Sequence, residues 1–343
     1  MKKQRESAIF VDMRIPSYQS KLDVRDTQFA IKYLKDVFQK SLARKLRLTR
    51  VSAPLFVEES SGLNDGLSGK ERPISFHVEE IDETLEIVHS LAKWKRHALA
   101  LYHFLPGEGL YTDMNAIRKD EVPDFMHSFY VDQWDWEKII SPSQRTLAYL
   151  KKTVRDIYSC IYRTSVNLEK RYPCLKNQLP KEIAFVSTKE LEKRYPSLTR
   201  KERENAICKE MGAVFLYGIG GKLSDGAPHD QRAADYDDWT LNGDILVYDP
   251  LYDIAFELSS MGIRVDAESL RSQLKEKGEE AKLSNPYCQA LLEGKLPLTI
   301  GGGIGQSRLA MFLLQKAHIG EVQVSCWSKR EREERSKQGI QLL

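Results

Sequence analysis

From Asp26, a candidate N-cap, the apolar residues Phe29, Tyr33, Val37, Phe38, Leu42 and Leu46 recur every one to four positions and predict a long amphipathic helix. Arg50–Val57 then turns strand-like, with Pro54 suiting a sheet edge or an interface better than a sheet centre. Strands are expected over Ile74–Val78, Leu85–Val88, Gly109–Ile117 and Ser128–Trp136, with a helix over Ser90–Leu101 among them. Leu147, Leu150, Val154, Ile157, Ile161 and Leu168 mark one face of a second long helix, which should end before Pro173. After a strand at Ile183–Val186 and a charged helical stretch, Gly212 should stop the helix and Ala213–Ile219 return as a strand. Asp244–Tyr248 and Ile254–Leu258 flank Asp249-Pro250-Leu251-Tyr252 as a hairpin turn, and Met261–Val265 is expected as one more short strand. Strands joined by turns, with long helices between groups of strands, predict an α+β fold around a central antiparallel sheet flanked by helices. Residues 1–25 are polar and irregular and read as an N-terminal extension to one domain over 26–343.

At 343 residues and 41% apolar content the chain can bury a sizeable core. Lys plus Arg at 52 against Asp plus Glu at 49 leaves a net charge of +3, too slight to point to a nucleic-acid surface. The tail Lys329–Arg335 mixes signs and reads as a solvated or frayed helix. Five scattered cysteines form no C-x-x-C pair, which suits reduced thiols and a cytoplasmic setting, and no run of ~20 apolar residues could span a bilayer.

Candidate chemistry concentrates on the strand-like segments. Ile300-Gly301-Gly302-Gly303-Ile304-Gly305-Gln306-Ser307-Arg308-Leu309 couples a glycine cluster to an arginine in the first turn of a helix. It is either a tight strand-to-helix turn or a place where backbone and guanidinium approach a flat or phosphorylated ligand. It fits neither the dinucleotide fingerprint nor the P-loop, and Gly220-Gly221-Lys222-Leu223 lacks the hydroxyl a P-loop needs. In Tyr130–Glu137 the strand period puts Gln133, Asp135 and Glu137 on one face and Asp132, Trp134 and Trp136 on the other. A face of carboxylates is costly inside a core unless it binds something, and the alternative is a solvent-facing sheet side. Asp244 and Glu257 sit on the two arms of the expected hairpin; they suit a magnesium ion carrying nucleotide phosphate, or Glu257 pairs with Arg264 across strands. Asp235-Tyr236-Asp237-Asp238 is a cation site or a hydrophilic turn, and Asp65-Gly66 is open to a turn reading.

Together, Val88–Arg96, Tyr130–Glu137, Gly218–Gly226, Ala255–Asp266 and Ile300–Leu309 resemble the ammonia-dependent asparagine synthetases, relatives of the class II aspartyl- and asparaginyl-tRNA synthetase catalytic core. The likeness runs from about Asp26 to about Trp327. Pro54 after the long helix, Arg118 with Asp120 or Glu121, and the glycine segment with Arg308 resemble the three class II motifs. The resemblance implies a single synthetase-like catalytic domain, assembled as a homodimer, that converts L-aspartate, ATP and ammonia to asparagine, AMP and pyrophosphate with Mg2+. It implies that Ser90, Lys95, Gln133, Asp135, Ser260 and Arg264 hold aspartate. It places Arg118, Asp120, Glu121, Asp237, Asp244, Glu257, Ser259, Gly303, Gly305 and Arg308 around ATP, with Asp244 and Glu257 on the metal. Asp65 would take a proton from ammonium. Lysine at position 2 departs from the cysteine nucleophile of glutamine-dependent synthetases, so free ammonia is the expected donor. The alternative is a class II synthetase-related protein, either tRNA-charging or regulatory; only about 25 residues precede the first motif, and no nucleic-acid partner is expected.

Overall fold

The computed structural model describes residues 18–67 and 71–343; residues 1–17, most of the expected extension, and residues 68–70 after Asp65 lie outside the described residues. Helix α1 (Val24–Leu46) starts slightly earlier than the pattern suggests, with Asp23 as its cap, its carboxylate accepting from Asp26 N at 2.7 Å. Its buried stripe is Ala30, Leu34, Phe38, Leu42 and Leu46, so Phe29, expected on that face, is instead 53% exposed with Arg25 over its ring. A four-residue repeat from Ala30 outweighs the single large residue beside it.

The expected strand Arg50–Val57 divides. β1 (Leu48–Arg50) joins the main sheet, while β2 (Phe56–Glu58) leaves it for a small sheet with β3 (Ser75–Val78) and β4 (Glu83–Ile87), and Pro54 lies in the break. α2 (Ala92–Leu101), β5 (Gly109–Ile117), β6 (Tyr130–Ile139) and α3 (Leu147–Arg171) follow close to their predicted places. Next come β7 (Ala184–Ser187), α4 (Thr188–Arg194), α5 (Arg200–Met211) and β8 (Ala213–Tyr217), with Gly212 ending α5 at φ 76°. β9 (Asp237–Asp249) and β10 (Ile254–Arg264) form the hairpin, and β10 is one strand where two were expected. α6 (Ala267–Lys277), α7 (Pro286–Leu292), β11 (Thr299–Gly305), α8 (Gln306–Leu313) and α9 (Lys329–Lys337) complete the chain.

The main sheet runs β1-β5-β6-β11-β10-β9-β8-β7. Its inner six strands are antiparallel as expected, but β1 joins β5 and β7 joins β8 in parallel, so the whole is a mixed sheet. Each parallel pair is joined by a long excursion carrying helical structure, the connection parallel neighbours require. Trp134 and Trp136 of β6 pack with Phe38, Leu150, Ile157, Phe256 and Leu309 in the largest apolar cluster, and the Phe38 and Trp134 rings lie 4.7 Å apart. Full burial of each such side chain contributes roughly 1.5–3 kcal/mol. The opposite face of β6, β10 and β11 is left to polar groups. Among the described residues no helix is long and apolar enough to cross a membrane.

Candidate functional site

A cavity of about 730 Å3 lies over that polar face, and every predicted site residue lines it except Asp65 and Asp244, which sit just behind its wall. At one end, β11 runs between β6 and β10, with Gly303 opposite both Asp135 and Ser260. A Cβ on Gly301 would stand 1.9 Å from Glu137 Oε2 and 2.7 Å from Arg264 Nη2, and one on Gly303 would stand 2.0 Å from Gln133 Oε1. The glycines therefore clear space that the protein's own side chains occupy. Arg264 is buried; its Nε donates to Glu137 Oε1 at 3.0 Å, its Nη2 to Oε2 at 2.8 Å, and its Nη1 to Asp237. A guanidinium has five N–H groups, so one on each Nη stays free for a ligand. Burial opposes ionisation of Glu137, but Arg264 and then Lys95 hold its carboxyl below the ordinary range; for Asp237 burial wins over Arg264 and the carboxyl is raised. Lys95, fully buried, donates to Asp135 Oδ1 at 2.6 Å and to Gly302 O at 3.2 Å.

The start of α2 is a helix N-terminus, whose free N–H groups suit an anion. The anions there are the protein's own: Leu91 N donates to Asp135 Oδ2 at 3.2 Å and Ala92 N to Asp65 Oδ2 at 2.8 Å. Ser90, which lines the cavity, also gives its hydroxyl proton to Asp65 Oδ2, so it presents only lone pairs outward. Asp65 thus reaches the cavity through Ser90. Burial lifts the Asp65 carboxyl to about 6, with Lys93 and the Ser90 hydroxyl pulling the other way.

At the other end Arg118, just past β5, faces Arg308 in the first turn of α8. Burial, with Arg308 adding repulsion, holds the Arg118 guanidinium below its ordinary value, and its Nε has no hydrogen-bond partner. Two guanidiniums crowded in one cavity concentrate positive charge there, which a polyanion would complement. Arg308 Nη1 is 3.6 Å from Glu257 Oε2 and donates to Glu257 O at 3.3 Å. Burial opposes the charge on Glu257, yet Arg308 and Arg232 hold its carboxyl low. Asp120 is tied to the Arg72 guanidinium and to Arg72 N, which pull it to about 2, while Glu121 lies beside Arg118.

Asp244 faces Ser260 across the β9–β10 pair rather than Ser259, because a bulge at Leu258 shifts the register by one, and Glu257 lies opposite Leu246. Its Oδ2 accepts from Arg232 Nη2 at 2.6 Å while its Oδ1 is buried with no partner, and burial together with Glu257 raises the carboxyl against the pull of Arg232. Magnesium with a nucleotide needs only one or two carboxylates beside the phosphates, so an orphaned Asp244 oxygen with Glu257 close by fits such an ion. Among the described residues no group of three or more candidate ligands gathers anywhere. The acidic run is not a cation cage: Asp235 pairs with Lys93, Asp237 with Arg264 and Asp238 with Arg145. Two residues that matter stand outside the set of site residues the resemblance implies. Glu137 carried a signal, the alternation that puts it beside Gln133 and Asp135. Arg232, which also donates to Ser260 Oγ at 3.1 Å, carried none, since its partners lie on β9 and β10.

A profile of the family described as aspartate–ammonia ligase matches residues 25–339. An aspartate–ammonia ligase of Clostridium perfringens strain SM101 is 62% identical over 91% of this chain and 93% of its own length. That of Bacillus cytotoxicus is 58% identical over 95% of this chain and all of its own. Among solved structures, asparaginyl-tRNA synthetase from Pyrococcus horikoshii with asparaginyl-adenylate aligns with a TM-score of 0.64 at 15% identity, covering 88% of this chain and 68% of that one. Aspartyl-tRNA synthetase from Entamoeba histolytica aligns at 0.55 and 15% identity, over 89% and 59%. Those two likenesses concern the fold, a class II synthetase core, whereas the sequence match extends over nearly the whole length, and the chain belongs to the aspartate–ammonia ligase family.

Proposed function

We propose that this chain is an AMP-forming asparagine synthetase that activates the β-carboxylate of L-aspartate with ATP and amidates it with ammonia. The observation that carries the reading is one cavity joining two unlike ends: Arg264 and Lys95 beside Asp135 and Gln133, and Arg118 with Arg308. Aspartate brings two carboxylates and an ammonium. The free N–H groups of Arg264, with Lys95, hold its α-carboxylate, and Asp135 and Gln133 accept from its amine. The β-carboxylate is thereby aimed at the α-phosphate, which Arg118 positions for in-line attack while Arg308 binds the outer phosphates or adenine. Asp244 and Glu257 hold Mg2+, which when bound offsets phosphate charge. Glu121, not tied to Arg72 as Asp120 is, is the better placed of the two for adenine. Asp65, through Ser90, receives the proton that ammonium loses.

A homodimer through the α1–Pro54 region belongs to the same reading, supported by exposed Leu55, Phe56, Phe76 and Ile81 on and beside the small sheet. The test is incubation with aspartate, ATP, Mg2+ and ammonium chloride. Asparagine and AMP should form together; AMP without asparagine, or pyrophosphate exchange that depends on tRNA, would move the protein to the tRNA-charging class.

A further inference from the structure

Behind Ser90 lies a buried group of charges for which the steps above use only Asp65. Lys93, in the first turn of α2, has a side chain 6% exposed, and its Nζ is 3.2 Å from Asp235 Oδ2. Asp65 sits at the same helix start and is held there by Ala92 N and Ser90. One oxygen of each carboxylate, Asp65 Oδ1 and Asp235 Oδ1, is buried with no hydrogen-bond partner. The cluster thus joins two carboxylates to one cation, and a proton would bring it to neutrality.

The other groups around it do not supply that charge. His89 Nδ1 meets the Asp65 carbonyl at 3.3 Å, and burial holds the ring below its ordinary value. The Tyr287 ring lies 5.9 Å from Lys93 Nζ, and burial raises the Tyr236 and Tyr287 phenols and lifts the Cys288 thiol to about 11, so all three stay neutral near pH 7. Of the charges around Asp65, Lys93 acts most strongly and Asp235 opposes it. Lys93 itself keeps its proton, since Asp235 and Asp65 outweigh its burial.

We propose that Lys93 and Asp235 are a positioning pair that keeps Asp65 ready to receive, through the Ser90 hydroxyl, the proton that ammonium must lose before it can attack. This rests on the amidation reading above. Ammonium against Ser90 gives a proton to Oγ while the proton already on Oγ passes to Asp65 Oδ2. The nitrogen lone pair then forms the N–C bond to the activated β-carbonyl carbon, the C–O bond to AMP breaks with its electron pair, and the second proton leaves nitrogen for solvent. Lys93 touches none of the reacting atoms. It keeps Asp65 ionised, and Asp235 limits how far.

The two partners therefore make opposite predictions. The experiment follows product release from preformed aspartyl adenylate across pH, asparagine from ammonium and, separately, the β-hydroxamate from hydroxylamine, which is neutral near pH 7 and has no proton to lose before attack. Lys93→Met should move the acid limb of the ammonium reaction up by about one pH unit, or roughly tenfold in rate below the limb. Asp235→Asn should move it down, and the double substitution should bring it back towards its starting place. Lys93→Arg should restore the Lys93→Met loss. The hydroxylamine profiles should not move. Limbs that shift the same way in both single variants, or with hydroxylamine as much as with ammonium, overturn the proposal. Should Lys93→Met not fold, Asp235→Asn decides alone, and an upward or absent shift overturns it. Aspartate-dependent pyrophosphate exchange in the unsubstituted protein is the control: its absence sinks the amidation reading itself, whereas exchange without these shifts sinks only the role of the pair.

Discussion

Arg264 illustrates what one residue type can do that its nearest relative cannot. It grips Glu137 with two nitrogens, reaches Asp237 with a third and still has two N–H groups to offer. An ammonium has three donors and no plane, so Arg264→Lys must give up either Glu137 or the ligand. Aspartate binding should weaken by about 2–3 kcal/mol, the scale of a charge-assisted hydrogen bond left unmade. ATP binding, measured separately by titration calorimetry, should hardly change; equal losses would mean that Arg264 does not serve the amino-acid end. For Arg308→Ala, aspartate-dependent pyrophosphate exchange should fall by about 10²–10³-fold, the usual cost of removing one preorganised charge partner, with aspartate affinity kept. Gln133 and Asp135 were legible because a strand alternates faces, and Arg118 and Arg308 because they stand at element ends. Asp65 came through the family resemblance alone, and Arg232 not at all. The Asp-Gly sequence at 65 has a local explanation as a turn, and what makes Asp65 chemical is Ser90, 25 positions away.

The strand β11 shows how far an element can be read from its sequence. Its glycines were visible, but not which neighbour each serves. At Gly301 the obstructing atoms belong to the fully buried Glu137–Arg264 ion pair, with no room to yield. Gly301→Ala should therefore lower the stability of the fold by roughly 2–4 kcal/mol, as expected for a disrupted buried ion pair. At Gly303 the obstructing atom ends the Gln133 side chain, which can swing into the cavity. Gly303→Ala should stay folded, with an unchanged denaturation midpoint, yet lose aspartate affinity. The reverse pattern would show that the two clearances are interchangeable. The hairpin teaches a related lesson. β10 looked like two strands because the bulge at Leu258 shifts the alternation, putting Glu257 and Ser260 on the cavity side. β9 looked short because its first residues are acidic, and acids belong in a strand only when cations such as Arg264 and Arg145 arrive from elsewhere.

At the scale of the whole molecule, the α+β class and the antiparallel centre of the sheet followed from strand spacing, while its parallel edges did not, because long-range pairing leaves no local signature. The same holds for charge. Asp249 reads as an ordinary turn residue, and its Oδ1 does accept from Leu251 N at 2.9 Å. In the fold it is only 7% exposed at the end of β9, and burial lifts its carboxyl to about 6. A carboxyl whose affinity for protons rises on folding contributes stability at low pH and loses it as pH climbs through the folded value. Above that point the buried carboxylate costs up to about 1.4 kcal/mol for each unit separating about 6 from the unfolded value near 4. Asparagine keeps the oxygen that caps the turn and cannot ionise. Asp249→Asn should thus stabilise the protein by about 1–3 kcal/mol at pH 8, and by about half as much at pH 5, where the unfolded carboxyl is largely ionised but the folded one is not. Denaturant midpoints at the two pH values measure this directly. A gain of the same size at both would assign the effect to packing at the hairpin and remove ionisation of Asp249 from the pH dependence of the fold.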